Sequence, residues 1–161
     1  MIEPRWVTEG KRYIGTREIP GVQHEPRILS WWRAIKRGGI RSDEVPWCAA
    51  FVGAMLEAVG VQSTRYESAR SYLQWGVRLD APTLGCVVVF ERDGGGHVGF
   101  VVGKDTRGRL MVLGGNQGNA VTIAPFEMYR VAGYRWPAPG PAQISPLPII
   151  ASTATSSRNE A

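Results

Sequence analysis

Residues 85–102 read GCVVVFERDGGGHVGFVV, two apolar runs joined by a charged, glycine-rich stretch. Cys86–Phe90 and His97–Val102 are short and rich in β-branched and aromatic side chains. The joining segment, Arg92-Asp93-Gly94-Gly95-Gly96, is turn chemistry. The pair therefore predicts two strands. Three more short runs follow downstream, Leu110–Leu113, Ala120–Ile123 and Val131–Trp136, after breaks such as Asp105-Thr106-Arg107-Gly108. About five strands at this spacing predict an antiparallel, strongly twisted sheet.

Upstream of residue 85 the period is helical. Trp6, Tyr13 and Ile14 recur at helical spacing before Gly15 and the turn Pro20-Gly21. Pro26 can open a second helix carrying Ile28, Trp31, Trp32 and Ile35, closed by Gly38-Gly39. A third follows the polar approach Ser42-Asp43-Glu44-Val45-Pro46 and runs from about Trp47 to Val59, with Gly60 as its cap and Phe51, Val52, Met55, Leu56 and Val59 as its stripe. Ser68–Trp75, before Gly76, predicts a shorter fourth. Helices first and strands afterwards make the class α+β. Residues 1–136 read as a single domain. Residues 137–161, rich in Pro, Ala, Ser and Thr, read as an extended tail that builds no core and is mobile at its end.

The chain has 161 residues, 43% hydrophobic and 20% charged, with only two Cys. That suits one domain with its own core and excludes wholesale disorder, a collagen-like repeat and a disulfide scaffold. No apolar run is long enough to predict a transmembrane segment. The start, MIEPRWVTEGKRY, has no apolar signal region, so the expectation is synthesis in the cytoplasm without a signal peptide. The net charge of +5 resides in residues 1–41, where nine basic side chains meet four Glu. Such a face favours polyanions, or is only a solvated surface on two helices. No nucleic-acid-binding signature accompanies it, so nucleic acid is not expected as a partner.

Cys48, Cys86, His24 and His97 lie too far apart in sequence for common metal motifs, so no metal and no cofactor is expected. A Cys48–Cys86 disulfide is the bland alternative. Cys86 fits a small buried hydrophobe inside its strand. Cys48, before the apolar stripe, falls in the first turn of the third helix, where unpaired backbone N–H groups and the helix dipole favour a thiolate and can donate to an oxyanion. A nucleophilic thiol needs a base. His97, at the start of a strand, is the stronger candidate and His24, in a Pro-flanked loop, the weaker. Asn116, in the stretch from Leu113 to Asn119, could accept from the imidazole N–H, or be an ordinary turn residue.

Taken in order, the motifs Pro46-Trp-Cys-Ala-Ala-Phe-Val52, Gly85-Cys-Val-Val-Val-Phe90, Gly96-His-Val-Gly-Phe-Val-Val102 and Gly114-Gly-Asn-Gln117 resemble those of CHAP-type peptidases. These are the cysteine, histidine-dependent amidohydrolases/peptidases, papain-like enzymes that cut peptidoglycan. The likeness runs from the first helix (Trp6, Ile14-Gly15, Glu18) to Tyr134-Arg-Trp-Pro137 and is nearest to a small-protein branch seen in phage endolysins and some bacterial genomes. It implies a papain-like fold, Cys48 as nucleophile, His97 as base and Asn116 as the orienting polar residue, with Trp47 and Gln117 as substrate-binding neighbours. It also implies a monomer that cuts a stem-peptide amide as a phage endolysin and reaches the wall after release through a holin or a secretion system. A secretion-delivered amidase or endopeptidase toxin, a non-catalytic wall-binding module, and the same chemistry on a protein side-chain amide are the rival readings. The basic N-terminal half then becomes a contact to an anionic envelope.

Overall fold

The computed structural model describes residues 2–92 and 95–153. The centre of the turn expected at 92–96 and the tail end 154–161 lie outside the described residues. Three helices come first, α1 (Arg5–Lys11), α2 (Pro26–Ala34) and α3 (Cys48–Ala58). The shorter fourth helix expected over Ser68–Trp75 is a 3-10 helix, Ala69–Gln74. The strands are β1 (Val77–Leu79), β2 (Val87–Arg92), β3 (Gly95–Lys104), β4 (Leu110–Gly114), β5 (Thr122–Phe126) and β6 (Val131–Trp136). They form one sheet in the order β1-β6-β2-β3-β4-β5, every neighbour antiparallel. The class is α+β, consistent with a papain-like arrangement. The sheet has one strand more than the five expected, because three-residue β1 is too short to show a period and exists only by pairing with β6.

Each helix forms for a local reason. Pro26 supplies a ready-made first-turn φ for α2, and the Glu25 side chain caps it by accepting from Arg27 N at 3.2 Å. Ile28, Trp31 and Trp32 turn inward. In α3 every residue from Cys48 to Leu56 is buried, so this helix has no solvent face over that length and lies inside the domain. Gly60, with φ of 86°, ends it in the left-handed conformation that glycine adopts without strain.

The central strands are buried on both faces. Val87 and Val89 of β2, Val98 and Phe100 of β3 and Leu113 of β4 belong to the helix-side core with α3, Trp31 and Trp32. Val88, Phe90, Val101, Leu110, Val112 and Phe126 form a second core with Tyr134. Double burial explains why residues 86–90 read as an unbroken apolar run and not as an alternation. On the helix side, a chain of ring contacts fixes α3. Tyr13 meets Trp31 at 5.6 Å, Trp31 meets Phe51 at 5.2 Å, and Phe51 meets Phe100 of β3 at 6.4 Å between centroids.

Beyond β6 the chain is extended, as expected, but its described part is tied down. Lys104 N donates to Pro148 O at 2.9 Å, Ile150 N to Lys104 O at 3.0 Å, and Thr153 N to Ile123 O at 2.9 Å. Ile150 packs on the helix-side core and Leu147 on the other. The tail therefore adds to both cores, contrary to the expectation that it builds none. Gly103 permits this, because a Cβ there would sit 2.7 Å from Pro148 O.

The approach to α3 is closed by a buried carboxylate. Asp43 is fully buried; its Oδ2 accepts from Ile19 N and Glu25 N, each at 2.8 Å, and its Oδ1 meets His24 Nδ1 at 3.0 Å. Burial alone would push this carboxyl up, but the hydrogen bonds from His24, Ile19 and Glu25 prevail and hold it below the usual aspartate range. A lowered native pKa gives stability that is present above about pH 4, the unfolded value, and lost as pH falls through the native one. Asp43→Asn should therefore cost about 2 kcal/mol at pH 7, read as a Tm lower by about 4–8 °C. The gap from wild type should narrow in melts below about pH 4.

Candidate active site

Cys48 is the first residue of α3, with Trp47 as its N-cap. The first-turn N–H groups, that of Cys48 among them, have no carbonyl four residues back inside the helix, and the positive end of the helix dipole lies with them. Trp47 is fully buried and does not present its ring to a substrate. Its indole tilts against Trp31 at 5.7 Å, and its Nε1 donates to Glu18 Oε1 at 2.8 Å. The substrate-lining role expected for it is therefore corrected. Trp47 is a buried support under the start of α3, because its large apolar ring gains more from the core than from solvent.

His97 is the third residue of β3 and is fully buried. Its ring lies parallel to Phe126 (5.2 Å between centroids, 9° between planes), and Phe126 in turn stacks on Phe90 at 4.6 Å. These contacts fix the plane of the imidazole. Its Nε2 meets Gln117 Oε1 at 2.9 Å. The amide of Gln117 cannot be turned over, since its Nε2 donates to two carbonyls, Val112 O at 3.2 Å and Thr122 O at 2.9 Å. Carbonyls only accept, so the nitrogen of the amide must face them and the oxygen must face His97. His97 Nε2 therefore carries the hydrogen and donates it, and Nδ1 carries the lone pair of the neutral ring.

The group on the ring N–H is thus Gln117, where sequence reasoning placed Asn116 in this role and gave Gln117 to the substrate. Geometry after β4 explains the exchange. Asn116 takes a left-handed φ of 58° and reverses the chain. It is the longer side chain of the next residue that folds back to Val112 and reaches His97. Asn116 stays beside it, 2% exposed, and among the described residues its Oδ1 accepts no hydrogen bond.

Two consecutive glycines join the halves of this arrangement. A Cβ on Gly114 would lie 2.2 Å from Gln117 Oε1 and 3.3 Å from His97 Nε2. One on Gly115 would lie 2.7 Å from both the Trp47 ring and Phe51 Cβ. The 114–117 segment thus abuts the start of α3 on one side and His97 on the other. Trp47, His97 and Gln117 are gathered around it, and Cys48 follows Trp47 in the chain. His24 is not; it serves the Asp43 clasp. Cys86 is a thiol in no disulfide, and burial pushes its pKa up to about 12. Three further contributors escaped the sequence reading as site residues. Thr122 helps orient Gln117, Glu18 holds Trp47, and Asp43 closes the approach. The only sequence signal for them is the polar stretch before Pro46 and the acidic residue at position 18.

Iodoacetamide at neutral pH should label one thiol rapidly, with peptide mapping placing it at Cys48. Cys86 should react only after unfolding, because a thiol with so high a pKa offers almost no thiolate. Gly114→Ala should displace Gln117 from His97 and slow the labelling of Cys48 at pH 7 by about tenfold or more, as the imidazole loses its fixed tautomer. A far-ultraviolet spectrum unchanged from wild type would place that effect in the site.

Comparison with known proteins gives one match. Residues 40–116 match the family model described as CHAP domain. No curated protein and no solved structure matches the chain. The matched segment begins in the approach to α3, includes Cys48 and His97, and ends at Asn116, one residue short of the amide that fixes the imidazole. The match supports a CHAP-type cell-wall hydrolase, and the CHAP domain indicates amidase or peptidase function on peptidoglycan.

Proposed function

We propose that the protein hydrolyses an amide bond of the peptidoglycan stem peptide by acyl transfer through Cys48. His97 Nδ1 takes the thiol proton, and the thiolate attacks the amide carbonyl. The oxyanion that forms rests on the N–H groups of the first turn of α3. The imidazolium is stabilised through its Nε2–H on Gln117 and returns the proton to the leaving amine. Water, activated by the same nitrogen, then cleaves the thioester and restores the thiol. Asn116 has no part in holding the ring.

The observation that carries this reading is the locked amide of Gln117. Its nitrogen is held by two backbone carbonyls and its oxygen by His97, so the structure around the imidazole allows one tautomer, the one a general base requires. A wall-binding module that merely kept the fold would have no use for a buried imidazole so oriented. The resemblance of the motifs to phage endolysins supports release into a host envelope as the setting, with action on the wall. Among the described residues no helix is long and apolar enough to cross a membrane. The basic excess supports contact with an anionic envelope. Around α1, Lys11 pairs with Glu3 and Arg12 with Glu9. Arg27, Arg33, Lys36 and Arg41 are exposed and, among the described residues, in no ion pair.

Purified protein should release new amino ends from isolated peptidoglycan, with mass spectrometry of the fragments identifying the bond. Cys48→Ala should reduce that release by about 10⁴-fold or more. Full activity in the variant would exclude the thiol mechanism.

A further inference from the structure

A cavity of about 380 Å³ lies at the end of α3 remote from Cys48, between the start of α1, the chain before β2, the end of β6 and the tail. Its walls are apolar, formed by Pro4, Trp6, Val61, Leu84, Trp136 and Pro141. Cys48 begins α3, and Val59, the C-cap, reaches the cavity, so about 16 Å of helix separates the two. Neither Cys48, His97 nor Gln117 lines it. Its volume falls within the range of small-molecule sites, roughly 300–1,000 Å³.

The walls are fixed by contacts of their own. Gly85 has a left-handed φ of 88°, and a Cβ there would overlap the Pro4 ring, so glycine is what lets the two chains meet. Trp6 Nε1 donates to Gly85 O at 2.8 Å, and the Trp6 ring meets Trp136 edge-on at 5.2 Å between centroids. With its N–H held by the backbone, the Trp6 indole offers the cavity only apolar surface. The charge of the lining is one-sided. Arg5 is exposed and, among the described residues, in no ion pair. No Asp or Glu among them lines the cavity, and Glu3, two residues before Arg5, is engaged by Thr8 and Lys11. Gln143 and Ser145 are the other polar side chains there. A saccharide would leave most of its hydroxyls without partners against such walls, and a cationic chain would be repelled by Arg5. An alkyl chain that ends in an anion matches both the walls and the charge.

We propose that this cavity is a second, non-catalytic binding site for an anionic amphiphile, with one alkyl chain against Trp6, Val61, Leu84 and Trp136 and its carboxylate or phosphate on Arg5. A free fatty acid and an anionic membrane lipid offer this same chemistry. The site owes nothing to Cys48, and its occupancy does not depend on the hydrolase reading above.

The test is calorimetry of the full chain with dodecanoate and with dodecyltrimethylammonium, each below its micelle concentration. Dodecanoate should bind once per chain with a Kd on the order of 10 μM, and about tenfold or more tighter than the cationic probe. Arg5→Glu reverses the charge of an exposed residue. It should weaken dodecanoate by about 10- to 100-fold and make the cationic probe the tighter of the two. Ala142→Trp adds a ring at an exposed lining position and should weaken both probes by about tenfold or more. Both variants should keep the wild-type Tm and the wild-type rate of Cys48 labelling. Wild-type protein that binds neither probe, or both equally, would overturn the proposal without any variant. So would an Arg5→Glu protein that keeps the wild-type preference, or a dimer that dodecanoate dissociates, which would make the cavity a contact between copies of this chain. Phosphatidylglycerol vesicles separate the two sources. Sedimentation with them that is lost in Arg5→Glu assigns the site to a membrane lipid, and dodecanoate binding without it assigns the site to a free amphiphile. Protein that binds dodecanoate but cuts no peptidoglycan would overturn the hydrolase reading alone.

Discussion

The side-chain amide of Gln117 is the constraint on which the chemistry of this fold depends. Its nitrogen has two carbonyl partners, one on β4 and one at the start of β5, and neither can act as a donor. The amide oxygen is thereby forced toward His97, and the proton on the imidazole is forced onto Nε2. No charged residue is needed for this. A carboxylate in the same place would stabilise the imidazolium more strongly, but it would be buried beside backbone carbonyls that it could not satisfy. A neutral amide satisfies both sides. It suits a site whose histidine is enclosed by the rings of Phe126 and Phe90.

Gln117 can do this only if the segment around it is thin. Gly114 leaves room for the amide oxygen, and Gly115 lets Trp47 and Phe51 come against the backbone. The start of α3 is thus brought to the same segment that positions His97. The pressure on it comes from the core, since α3 is buried along nearly its whole length and linked through Trp31 and Phe51 to Phe100 on β3. Thiol and imidazole are placed by packing that has no chemistry of its own. That division explains why Trp47, next to Cys48, is a core residue held by a polar contact at its Nε1 edge.

Much of this architecture is legible in the sequence, and the failures have physical causes. The central strands announced themselves because burial on both faces makes continuous apolar runs. The helix that carries Cys48 did so through its stripe, its polar approach and the glycine that ends it. Strand β1 did not, since three residues have no period and its existence depends on β6. Residues 69–74 formed a 3-10 helix, a distinction of hydrogen-bond spacing that composition does not encode. The exchange of Asn116 for Gln117 is of another kind. Both were marked as site residues, but which of two adjacent polar side chains reaches a histidine is set by the left-handed φ at Asn116 and by one methylene group. The anchoring of residues 147–150 was missed because isolated apolar residues among prolines carry no pattern, although a sheet edge and a glycine on β3 can still receive them.

Charge is where sequence and structure differ most usefully. As a sum, +5 describes a basic protein, and residues 1–41 describe a basic half. In three dimensions that half separates into regions of opposite character. Among the described residues, four of its exposed cations in no ion pair, Arg27, Arg33, Lys36 and Arg41, belong to α2 and the loop after it, with Arg5 and Arg17 elsewhere, whereas the approach to α3 gathers Glu18, Asp43 and Glu44. An anionic polymer would be drawn to the first region and turned away from the second, so on the proposed reading the basic surface, and not the approach to α3, is what retains the wall.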